Sequence, residues 1–134
     1  MKALVTGGAG FIGSHVTERL LAEGWEVTVL DDFSSGRLEN LASVAEDSDL
    51  TIVKGSILDQ GVVSEAVSDT DVIVHEAAIT SITRSIEDPL SVCRVNIEGT
   101  LSLLNEAKKR GTKRFVYASS CGVYGDARNL PIKE

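Results

Sequence analysis

Leu4-Val5-Thr6-Gly7-Gly8-Ala9-Gly10-Phe11-Ile12-Gly13-Ser14-His15 is the stretch that decides the fold. An apolar run, Ala3 to Val5, enters a turn carrying Gly7, Gly10 and Gly13, and an apolar helical pattern follows directly. A strand, a tight turn and a helix in that order aim free backbone N–H groups and a positive helix end at one point. Such a point suits a diphosphate. Each glycine has its own expected task. Gly7 permits the tight turn, Gly10 lets backbone approach the phosphates, and Gly13 lets the helix pack close to the sheet. The spacing is G-x-x-G-x-x-G rather than the commoner G-x-G-x-x-G.

Outward from this turn, short apolar runs alternate with helical patterns. Apolar residues at 11, 12, 16, 20 and 21 predict a helix from Phe11 to Glu23, ended by Gly24. Strands are expected at Ala3–Thr6, Glu26–Leu30, Leu50–Lys54, Asp71–His75 and Arg114–Ser119. Arg37–Ala45 reads as a short, weakly patterned helix and Leu58–Val67 as a further one. Thr80–Asp88 and Cys121–Glu134 read as loop. Pro89 suits a first helical turn capped by Asp88, opening a helix from about Leu90 to Arg110 that Gly111 closes. Strands of this length separated by helices imply an α/β fold with a parallel sheet, its strands buried on both faces. Right-handed crossovers then give a Rossmann-type doubly wound sheet of about five strands in the order 3-2-1-4-5. No internal repeat or domain boundary is visible, so residues 1–134 read as one domain.

The chain has 134 residues and a formal net charge of −7. That balance argues against nucleic acid or an anionic membrane as a main partner. No apolar run approaches the length of a membrane span. Met1-Lys2 leads straight into a strand, so a cytoplasmic protein without a signal peptide is expected. Cys93 and Cys121 lie far apart without a C-x-x-C pattern, and His15 and His75 are isolated. Reduced thiols, packing or capping histidines and no metal site are the expectation.

Asp31 ends the second strand about 18 residues after Gly13. An acid there accepts hydrogen bonds from both hydroxyls of an adenosine ribose and repels a 2′-phosphate, which selects NAD over NADP. Arg37 argues the other way, since an Arg near this loop can hold a 2′-phosphate, but it lies farther along.

At this point the chain resembles the extended short-chain dehydrogenase/reductase family. Within it, the likeness is to NAD-dependent nucleotide-sugar epimerases of the UDP-glucose 4-epimerase type. Thr6 to His15 resembles the family's opening, and Asp31-Asp32-Phe33-Ser34-Ser35-Gly36-Arg37 its ribose loop. His75-Glu76-Ala77-Ala78 resembles the segment after strand four, and Asn96-Ile97-Glu98-Gly99-Thr100 the N-x-x-G-T motif of the long helix. Ser119-Ser120-Cys121-Gly122-Val123-Tyr124-Gly125 resembles the active-site turn after strand five. The resemblance implies cofactor contacts from Gly7, Gly10, Phe11, Ile12 and Gly13, and from Asp31, Asp32, Ser35 and Gly36. It adds Ser56, Ile57, Ala77, Ala78, Asn96 and Ser119. Ser120 aligns with the catalytic Ser/Thr that hydrogen-bonds the reacting sugar hydroxyl, and Ser81 falls where the substrate loop begins.

Two departures stand out. Gly55-Ser56-Ile57-Leu58-Asp59 carries Ser56 where the family's G-D-I-x-D segment has an Asp for the adenine amino group. The family's Tyr-x-x-x-Lys pair, Tyr as general base and Lys lowering its pKa, is also absent. Tyr117 and Tyr124 lie in or beside strand five, and neither has Lys four residues on. The expectation is therefore the N-terminal part of such an enzyme, without its last strands, its substrate domain or its general base. An exposed, self-associating fifth strand, as in a homo-dimer, is expected with it. A dehydratase is the runner-up, although Cys121-Gly122 stand where that branch carries acids. A reductase, a decarboxylase and a non-catalytic NAD-binding module are further alternatives.

Overall fold

The computed structural model describes residues 1–126 and 130–133. Five parallel strands form one sheet: β1 (Lys2–Thr6), β2 (Glu26–Asp31), β3 (Leu50–Lys54), β4 (Val72–His75) and β5 (Arg114–Tyr117). Their order is β3-β2-β1-β4-β5, as expected. β1 is central, with Val5 opposite Val29 of β2 and Val74 of β4. Successive strands are added outward in opposite directions on its two sides, so a crevice opens between the carboxyl ends of β1 and β4.

Alternation along β1 builds two cores. Leu4 points to one face, where it joins Leu30, Ile73, Val63, Val67 and Leu103. Val5 points to the other and joins Val29, Leu21 and Leu41. α2 (Gln60–Ala66) and α5 (Thr100–Arg110) cover the first face. α1 (Phe11–Ala22) and a 3₁₀ turn over Leu38–Val44 cover the second. The weakly patterned Arg37–Ala45 segment therefore winds tighter than an α-helix. It anchors to the core through a single buried residue, Leu41.

Several expectations need correction. Only the central strands are buried on both faces, since β3 and β5 form the sheet edges and carry exposed residues. The helix expected from Leu58 starts at Gln60, because the Asp59 carboxylate accepts the Gly61 and Val62 N–H groups and caps it. The segment expected to be loop, Thr80–Asp88, contains α3 (Ile82–Glu87). Ser81 starts α3 by accepting the Arg84 N–H (3.2 Å), and Ser85 Oγ donates to the Ile82 carbonyl (2.6 Å). Local hydroxyl bonds, rather than an apolar stripe, hold that turn, so periodicity did not reveal it.

α4 (Pro89–Cys93) follows at once, with Pro89 in its first turn and the Asp88 carboxylate accepting the Ser91 N–H, as expected. The helix expected to be uniform from Leu90 to Arg110 widens into a π turn at Arg94–Gly99 before continuing as α5. Gly111 closes it at φ 75°. β5 stops at Tyr117 rather than Ser119, because its partner β4 stops at His75. Beyond it, Cys121–Tyr124 forms a short 3₁₀ turn. Residues 127–129 and 134 of the expected C-terminal loop lie outside the described residues.

Candidate cofactor and substrate site

The glycine turn meets its neighbours at backbone distance. A Cβ on Gly7 would lie 2.7 Å from the Ala77 nitrogen, and Gly7 itself has φ 69°, a left-handed conformation. A Cβ on Gly13 would overlap the Gly7 carbonyl. The residue facing the sheet is Gly8, where a Cβ would stand 2.7 Å from the Val29 side chain. Gly13 thus locks the helix onto its own turn, and close packing on the sheet falls to Gly8.

Gly10 forms the N-cap of α1 without a side-chain cap, and no acid stands in the first turn. The first N–H groups of this 12-residue helix are left for an outside acceptor. Asp31 is buried, yet it lines the crevice beside the turn. Its carboxylate accepts the Ala9 N–H (2.9 Å) and the Phe33 N–H (2.8 Å), tying the glycine turn to the loop after β2. A Cβ on Gly36 would press on both carboxylate oxygens at 2.9 Å, so Gly36 keeps that edge of Asp31 open.

Two cavities meet at Gly7, Gly10 and the segment Glu76–Ile79. One runs towards Asp31, Asp32, Ser35, Ser56 and Ile57. The other runs over Phe11, Ile12 and Gly13 to Asn96, Ser119 and Ser120. Together they form a continuous track across the carboxyl ends of β2, β1, β4 and β5. Ala77 and Ala78 lie at its middle. Of the residues expected there, Ser81 lines neither cavity and instead caps α3. Gly36 and Arg37 also lie off the cavity walls, and Arg37 is exposed.

Several of these residues serve the framework as well as the track. Ile57 is buried in the core, where its side chain fills the space left by Gly99: a Cβ there would meet it at 2.5 Å. Asn96 spends both ends of its amide on Ile79, accepting its N–H (2.8 Å) and donating to its carbonyl (2.9 Å). Ser56 Oγ accepts the Leu58 N–H (3.2 Å). Ser120 Oγ accepts the Gly122 N–H (3.1 Å), which starts the 3₁₀ turn and leaves its hydroxyl hydrogen free to donate.

In the wall of the second cavity runs a largely buried polar chain that sequence reasoning missed. Thr100 Oγ1 donates to the Asn96 carbonyl (2.8 Å), so His75 Nε2–H donates to Thr100 (2.9 Å). His75 Nδ1 then accepts from the Thr6 hydroxyl (2.6 Å). Tyr117 stacks on the His75 ring at 5.8 Å. Burial pushes the His75 pKa down to about 4, so the ring is neutral near pH 7. Two charged wall residues were also missed, Glu76 and Arg84. Burial raises the Glu76 carboxyl above the usual carboxylate range. Nothing in their spacing distinguishes them from surface charges.

No group of three or more His, Cys, Asp or Glu side chains among the described residues is arranged to hold a metal. No helix among them is long and apolar enough to cross a membrane.

Residues 3–134 match the model of the NAD dependent epimerase/dehydratase family. The chain belongs to that family. It is 44% identical over 138 residues to UDP-glucose 4-epimerase of Mycolicibacterium smegmatis, covering 100% of this chain and 44% of that protein. It is 43% identical over 132 residues to dTDP-glucose 4,6-dehydratase of Streptomyces niveus, covering 93% of this chain and 39% of that one. Its structure resembles that of the Thermus thermophilus UDP-glucose 4-epimerase complex with NAD, with a TM-score of 0.84 and 37% identity. That match covers 100% of this chain and 42% of the solved one. The chain thus spans less than half the length of these relatives. The residues present fit the family's cofactor: an uncapped helix start for the diphosphate, Asp31 at one end of the track and two serines at the other.

Proposed function

We propose that these residues hold NAD along the track and present Ser120 to a nucleotide sugar, in a whole protein that inverts the sugar at C4. The observation that carries this reading is the single track joining Asp31, the glycine turn and Ser119-Ser120. Asp31 would take the adenosine ribose hydroxyls and the start of α1 the diphosphate. Ser119 would lie against the nicotinamide, and Ser81 would contribute to the substrate side. When bound, NAD supplies a reversible hydride acceptor for the C4 hydrogen. Ser120 would donate its free hydroxyl hydrogen to the C4 oxygen and so orient the sugar. The general base would come from outside these 134 residues.

A UDP-glucose/UDP-galactose type of substrate follows from the likeness to the mycobacterial epimerase. The likeness to a dehydratase at 43% identity keeps elimination as the second reading. Cys121-Gly122, which follow Ser120, offer no acid for that step. The acidic charge and the unpaired Cys93 and Cys121 suit a cytoplasmic setting. We further expect the 134-residue chain, taken alone, to self-associate through β5 and the long helix.

The test is turnover by the whole protein supplied with NAD. Interconversion of UDP-glucose and UDP-galactose is expected, and Ser120→Ala should lower kcat at least about 10²-fold with NAD affinity unchanged. Conversion of a nucleotide glucose to a 4-keto-6-deoxy sugar would replace this reading with the dehydratase one.

A further inference from the structure

We propose that Arg84 is a cofactor-binding residue whose guanidinium meets the diphosphate of the bound dinucleotide. This rests on the NAD reading above and assigns a residue that the family motifs do not.

The charge balance of the track leads to it. Asp31, Asp32 and Glu76 all line the cavity that Arg84 lines, together with Gly7 and Gly10 of the turn. The diphosphate of a dinucleotide brings two further negative charges to a chain whose own net charge is −7. Among the described residues, Arg84 is the one Lys or Arg on the wall of either cavity. The His75 ring at the other end is held neutral by burial. The start of α1 offers about half an elementary charge to the diphosphate, and a guanidinium beside it adds a full one.

The Arg84 side chain is exposed and its backbone is anchored. Among the described residues Arg84 forms no salt bridge, and Asp88, one turn on, feels its charge without pairing. Its backbone N–H is fixed to Ser81 Oγ (3.2 Å). The chain leading into α3 is clamped at Ile79 by both ends of the Asn96 amide. The planar guanidinium fork matches two phosphate oxygens at once, which an ammonium cannot do.

Calorimetric titration of the whole protein tests this. Arg84→Gln should weaken NAD at least about tenfold and flatten the salt dependence of binding, while adenosine, which carries no phosphate, displaces bound NAD from native protein and variant with the same inhibition constant. Arg84→Lys should recover part of the loss. NAD affinity within about twofold of native in Arg84→Gln would overturn the proposal. Equal losses for NAD and adenosine would overturn it too, since they would place the effect in α3 rather than in the charge. Native protein that fails to bind NAD would overturn the cofactor reading, and this proposal with it.

Discussion

His75 occupies the carboxyl end of β4 with both ring nitrogens in use, one on Thr6 and one on Thr100. Its proton count is therefore linked to folding. The folded value is lowered to about 4 from 6.5, so between those values the unfolded chain binds more protons. The stabilisation is full above pH 6.5 and is lost as pH falls towards 4. We expect the unfolding free energy from urea titrations to drop from pH 6.5 to 5, with a slope of up to about 1.4 kcal/mol per pH unit. That slope should vanish in His75→Gln. A native unfolding free energy that stays flat over this interval would contradict the assignment. In the sequence His75 was an isolated histidine with a packing role, and that much was legible. Its partners lie 69 and 25 residues away, and no local pattern points to them. Asp31 shows the opposite case. Its place at the end of a strand, after a glycine turn, is a short-range signal. The structure added only its second task, holding the Ala9 and Phe33 N–H groups.

At the scale of elements, the strands and α1 were legible because period-two and period-3.6 patterns are local and strong there. The stretch from β4 to α5 was read less well. Its helices are set by caps and by a change of winding, neither of which alters the apolar spacing. The π turn at Arg94–Gly99 carries Asn96, whose amide ties Ile79 to the long helix. Asn96→Ala leaves the Ile79 N–H and carbonyl without these partners. A loss of about 1–3 kcal/mol in unfolding free energy is expected, with faster hydrogen exchange at the Ile79 amide. Unchanged exchange there would show that the clamp holds nothing. Gly99 has a reason at this scale as well, since the widened helix brings it against the Ile57 side chain. The N-x-x-G-T pattern thus reads as a packing device as much as a cofactor motif.

For the whole molecule, β5 is a sheet edge whose residues are mostly exposed, with Tyr117 60% and Val116 44% accessible. Ile97, Leu101 and Leu104 on the long helix are exposed too. An open edge beside apolar residues favours association with another copy. Light scattering on the 134-residue chain taken alone should report species larger than a monomer, and Val116→Lys should shift them towards monomer. A native protein that is monomeric at every concentration would count against it. The sequence by itself determined the order of the strands, the glycine cradle and the acid that ends β2. These depend on residues within a turn or a strand of one another. Only the tertiary structure decided which side chains share the track. Glu76 and Arg84 became wall residues, Ser81 a helix cap and Asn96 a clamp, because each role depends on where the sheet crossovers set distant segments side by side.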